Sequence, residues 1–190
     1  SNIVVLQQAP KSIPTNATAK QRAKIQKKNQ RIAKRNAAQL AEMKTNLDAK
    51  YNGSDGKGSK NSYGEDVYFN FNLIGVETND LTGGDDANLK KMAYEYALEG
   101  RQYGGKKPVR APIVAKGSTY GAFGVYKINR ISLAANAPDI TLPHEVGHSL
   151  GLKDYYKNGG NKGSLMDYPP TRMLIPGDVD IIWERTSEKY

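Results

Sequence analysis

All the histidine of this chain, together with a glutamate and an aspartate at fixed intervals, falls in one short stretch, and the spacing is that of a metal site. Thr141-Leu-Pro-His144-Glu145-Val-Gly-His148-Ser-Leu-Gly151-Leu-Lys-Asp154 carries an H-E-x-x-H pattern extended by x-x-G-x-x-D. On a helix, residues four apart stand on the same face one turn apart, so His144 and His148 can aim a ring nitrogen at one cation. Neutral imidazole suits zinc. Glu145 follows the first of these ligands, which places its carboxylate beside the cation rather than on it, where a general base for an attacking water belongs.

A catalytic zinc site uses three protein ligands and keeps a fourth position open. With no cysteine and only these 2 histidines, the third donor has to be a carboxylate. Gly151 can take the left-handed conformation that ends a helix, so that the chain doubles back and Asp154 approaches the same cation. Asp167 is the rival third ligand. The extension by Gly151 and Asp154, and the confinement of histidine to the motif, make chance a poor explanation.

The elements that must position these residues are legible in outline. Residues 2–8 form an apolar strand, and a Gly- and Pro-free stretch over about 17–50 is predicted to be a helix capped by Thr15 or Asn16, with Ile25, Ile32, Leu40, Met43 and Leu47 along one face. A Gly-, Ser-, Asn- and Lys-rich segment, 52–64, reads as a surface loop. Alternation predicts a strand over 67–76, with Phe69, Phe71 and Leu73 on one face. A helix follows over about 87–99, then short strands at 109–115, 122–128 and 131–135. The order implies an α+β fold on a mixed, twisted sheet, one domain over 1–190, divided at the motif into 1–151 and a small C-terminal part, 152–190.

Composition sets the outer bounds. At 38% hydrophobic and 25% charged, the 190 residues suit a folded domain. No apolar run approaches the roughly 18 residues of a membrane span, so no transmembrane segment is expected. The net charge of +9 is concentrated: Lys20, Arg22, Lys24, Lys27, Lys28, Arg31, Lys34 and Arg35 occur with no acidic residue among them. Such a helix can meet nucleic acid, anionic lipid or an acidic protein. The stretch has little aromatic interleaving and no recognisable nucleic-acid motif, which argues against nucleic acid.

His144 through Asp154 resembles the active-site helix of metzincin metallopeptidases, in the minority form with Asp where most members have His, as in proteases of the snapalysin type. Gly163-Ser-Leu-Met166-Asp-Tyr168-Pro-Pro170 is similar to the family's Met-turn, and residues 176–184 to its C-terminal helix. The resemblance implies a zinc ion as cofactor, Met166 as a hydrophobic floor beneath it, and Tyr168 as a catalytic residue that steadies the transition state. It also implies an antiparallel edge strand above the metal, a role open to residues 122–128, which would pair with extended substrate.

The expected activity is therefore zinc-dependent endopeptidase cleavage of a protein or peptide substrate, in a secreted or extracellular setting. Ser rather than Met at position 1, the missing export signal and the basic helix raise an alternative: a bacterial toxin domain of a larger delivered protein, neutralised by an acidic inhibitor or immunity protein. A non-enzymatic alternative is a zinc-stabilised basic binding module, for which Glu145 would have no purpose.

Overall fold

The computed structural model describes residues 1–84, 86–96, 111–117, 121–124, 130–155, 163–167 and 173–186. In chain order the elements are β1 (Asn2–Gln8), α1 (Ala19–Tyr51), β2 (Ser59–Lys60), β3 (Asp66–Val67), β4 (Asn72–Thr78) and α2 (Asp86–Glu95). They are followed by β5 (Ile113–Lys116), β6 (Gly121–Gly124), β7 (Arg130–Leu133), α3 (Thr141–Ser149) and α4 (Pro176–Thr186).

Five strands form one sheet in the order β4-β1-β5-β7-β6. β1 runs parallel to β4 and β5, with Val4 facing Ile74 on one side and Ile113 on the other. β5 is parallel to β7, and β6 closes the edge antiparallel to β7, Phe123 opposite Ile131. A mostly parallel sheet with helical crossovers makes this a mixed α/β arrangement, rather than the α+β arrangement expected. The reason lies in the order of elements: α1 connects β1 to β4 and α2 lies between β4 and β5, and a helical crossover returns the chain parallel.

Strand β1 is buried on both faces, which is why it reads as an unbroken Ile-Val-Val-Leu run instead of alternating. Ile3 and Val5 pack with Leu47 and Tyr51 of α1, Leu142 and Val146 of α3, and Val179 and Ile182 of α4. Val4 and Leu6 pack on the other side with Leu89 and Ala93 of α2. Thus α1 is no appendage; its C-terminal half shares a core with the helix that carries the motif.

Helix α1 begins at Ala19, about two residues later than expected. Thr18, not Thr15 or Asn16, is the cap: its Oγ1 accepts from Gln21 N at 3.3 Å and its N–H donates to Gln21 Oε1 at 2.8 Å. This reciprocal pair is a capping box, which the sequence carries as Thr-x-x-Gln. Of the expected face, Ile32 and Leu47 are buried and Ile25, Leu40 and Met43 half-buried, with Asn36 and Tyr51 completing the docked stripe.

The strand expected over 67–76 is broken. Val67 belongs to a two-strand ribbon with β2, and the sheet strand starts at Asn72. Between them, Asn52 intervenes: its amide accepts from Phe69 N at 2.7 Å and donates to Phe69 O at 2.8 Å, taking both backbone groups of Phe69 out of any ladder. Phe69 and Phe71 consequently turn onto Tyr51, ring centroids 5.5 and 4.8 Å away. The expected 122–128 and 109–115 strands are seen as 121–124 and 113–116; residues 109–110 and 125–129 lie outside the described set. Among the described residues no helix is long and apolar enough to cross a membrane.

Candidate metal centre

Helix α3 is held from below by α1. Tyr51, fully buried at the end of α1, donates its hydroxyl to the Pro143 carbonyl at 2.9 Å, immediately before the first histidine. The helix terminates at Gly151 (φ +101°), where Gly151 N–H reaches His148 O at 3.0 Å and Leu152 N–H reaches Gly147 O at 2.9 Å. These are the two bonds of a Schellman motif, which needs a left-handed residue at Gly151. A Cβ at that position would also run into the Arg185 side chain of α4.

Beyond this turn the chain brings Asp154 back to the histidines. Asp154 Oδ1 lies 3.3 Å from His144 Nε2 and 3.2 Å from His148 Nε2, and the two imidazole rings meet edge to face at 4.9 Å. One ligand atom from each of His144, His148 and Asp154 lies within 4.8 Å of the other two. Both rings are oriented through their other nitrogen: His144 Nδ1 is 2.9 Å from Leu165 O, and His148 Nδ1 is 3.0 Å from Leu152 O. A carbonyl can only accept, so each Nδ1 carries a proton, and in the uncharged form of either ring it is the Nε2 lone pair that faces the cluster.

Two imidazole lone pairs and a carboxylate oxygen therefore converge, an arrangement that repels itself unless a cation or added protons sit among them. Donors around a tetrahedral zinc at about 2.0–2.2 Å stand roughly 3.3 Å apart, which matches the observed N···O separations. The residues present fit zinc. His148 keeps 18% of its side-chain exposure, so the cluster is reachable from solvent, whereas Glu145, next to His144 on the same helix, is 7% exposed.

Beneath the helix lies the 163–167 segment. Met166 is fully buried, and a Cβ on Gly147 would stand 2.6 Å from its sulfur. Asp167 is occupied with shaping this turn: its Oδ2 accepts from Ser164 N at 2.8 Å. Among the described residues the metal-competent group contains Asp154 and not Asp167. Tyr168 lies outside the described residues.

A residue that the motif does not announce ties these parts together. Asp178, fully buried in the first turn of α4, accepts from the Tyr155 hydroxyl, from Ser164 Oγ at 2.6 Å and from Ile175 N at 3.1 Å. Ser164 Oγ in turn accepts from Met166 N at 3.0 Å, and Tyr155 N donates to Met166 O at 3.1 Å. Burial and the Asp178 carboxylate both raise the Tyr155 pKa, so its phenol stays a donor. Asp178 thereby links the loop of Asp154 to the turn whose Leu165 carbonyl orients His144. Its signal in the sequence is modest: an acidic residue two after Pro176 at a helix start.

No family model matches the chain, and no curated protein matches it.

Proposed function

We propose that this chain is a zinc-dependent endopeptidase of the metzincin type. The observation that carries the reading is the convergence of His144 Nε2, His148 Nε2 and Asp154 Oδ1, with the buried carboxylate of Glu145 one residue from the first ligand. His144, His148 and Asp154 would hold the ion, which when bound supplies Lewis acidity to the carbonyl of the bond to be cut.

The remaining work falls to this chain's own groups. Glu145 draws a proton from the attacking water as its oxygen adds to the carbonyl carbon, then passes that proton to the amine as the C–N bond breaks. The Leu165 and Leu152 carbonyls keep both imidazoles in the tautomer that points Nε2 inward. Strand β6 has β7 on one side only among the described residues, and its other edge offers backbone groups to an extended peptide, as an antiparallel partner would. Tyr168 is the proposed oxyanion donor.

The test is zinc content of wild-type, Asp154→Ala and Glu145→Ala protein by elemental analysis, paired with cleavage of unfolded casein. One zinc in wild type and in the Glu145 variant, metal lost with Asp154→Ala, and casein cut by wild type alone is the expected pattern. Zinc retained without any cleavage by wild type would favour the zinc-stabilised module instead. Correctly folded wild type that takes up no zinc would remove both.

A further inference from the structure

The basic residues of α1 are not spread around the helix. At 100° per residue, seven of the eight cations between Lys20 and Arg35 fall within an arc of about 120°, on the side turned away from the docked stripe of Ile32, Asn36, Leu47 and Tyr51. Arg22 alone turns aside, and it is spent on structure, donating to Thr15 O at 2.8 Å and Ala17 O at 3.0 Å. All seven others are exposed. The stripe is about 22 Å long at 1.5 Å per residue, or roughly one positive charge per 3 Å.

No acidic residue precedes Glu42 in the chain, and among the described residues no carboxylate lies within ion-pair distance of these cations. The segment before the helix adds to the charge instead of relieving it. Lys11 is fixed against α1 by reciprocal bonds with Asn29, at 2.8 and 2.9 Å, and its ammonium lowers the pKa of Lys28. Lys24, Lys27, Lys28, Arg31 and Arg35 wall a groove of about 460 Å³.

We infer that this stripe binds the phosphate backbone of double-stranded nucleic acid without reading its sequence. The charge spacing matches a strand that carries one phosphate per about 3.4 Å. The face lacks the aromatic platforms on which single strands stack, and the apolar face of α1 that could enter a lipid surface is already buried in the protein. A protein partner fits less well, since the stripe is dominated by Lys, which interface cores avoid, and offers no aromatic anchor. The low aromatic content that argues against base recognition is what leaves the backbone as the target.

The experiment is fluorescence anisotropy of a labelled 24-base-pair DNA duplex with the full chain, across 50–200 mM salt. Binding should weaken by about five-hundredfold over that range if some five phosphates are contacted. The Lys24→Gln, Lys27→Gln, Lys28→Gln, Arg31→Gln variant, its helix content verified by circular dichroism, should lose at least tenfold in affinity and most of the salt dependence. Lys57→Gln, a cation elsewhere on the surface, should change neither. No duplex binding at 50 mM salt, binding that the fourfold variant retains, tighter binding of the matching single strand, or preference for phosphatidylserine vesicles over duplex would each overturn the inference.

Discussion

Gly147 and Met166 pack so closely that a side-chain carbon on the glycine would force the methionine to shift: a Cβ on Gly147 would lie 2.6 Å from the methionine sulfur and 3.3 Å from its terminal methyl. The glycine inside the H-E-x-x-H helix is thus what lets the 163–167 turn rise close enough for the Leu165 carbonyl to reach His144 Nδ1.

Gly147→Ala should push that turn away from the helix. Overpacking of this kind costs about 1–3 kcal/mol, and the loss should appear in denaturant unfolding. Zinc affinity should fall with it, because His144 loses the acceptor that fixes its tautomer. Stability and affinity equal to wild type would mean that Met166 yields freely and that the contact does not set the geometry.

Asp178 tests the same support from the other side. Asp178→Asn keeps the shape but turns an amide NH2 toward groups that are themselves donors, so one of the bonds from Tyr155, Ser164 or Ile175 is lost. The expected cost is about 1.5–3 kcal/mol of stability, with zinc affinity reduced roughly 10–100-fold as for other outer-shell partners. Competition with a chromophoric chelator measures the latter. An unchanged affinity would confine Asp178 to folding alone.

How much of this was legible follows from the range of each signal. The H-E-x-x-H spacing, the turn at Gly151 and the docked face of α1 are local, set by helical period and by one backbone conformation, and could be read without a partner in view. Asp178, Ser164 and Tyr51 act on residues 14 to 92 positions away, and nothing in their own neighbourhoods says so. The same limit explains the strands. Alternation alone carried the 67–76 strand through Phe69 and Phe71, whereas Asn52, from the end of α1, takes the backbone of Phe69 for itself. The sheet is mixed, as the order of elements implies, with β6 antiparallel to β7; that its other pairs are all parallel follows from the helical crossovers, which the alternation within single strands does not reveal.

Tyr51 predicts a pH dependence. Its complete burial, and then the nearby Asp178 carboxylate, raise its pKa well above the ordinary tyrosine value. The folded state holds that proton more firmly than the unfolded chain, whose tyrosine titrates near about 10. The contribution is full below that pH and is lost as the pH rises through the folded value, because only the unfolded state gains from ionising. Unfolding free energy should therefore decline more steeply above about pH 10 in wild type than in Tyr51→Phe. At neutral pH the variant should lose about 1 kcal/mol, for the hydrogen bond to Pro143 O. Parallel alkaline slopes in the two proteins would contradict the assignment.

Zinc should stabilise the fold itself, since His144, His148 and Asp154 come from a helix and a loop that the unfolded chain does not hold together. At free zinc one hundred times the Kd, the gain is about 2.7 kcal/mol, seen as a rise in Tm that a chelator reverses. His144→Ala and Asp154→Ala should abolish the rise. Glu145→Ala should keep it, because that carboxylate is proposed to serve the water and not the ion. Equal stabilisation of Asp154→Ala and wild type would move the third ligand elsewhere, and loss of the rise in Glu145→Ala would make Glu145 a ligand and remove it as the base.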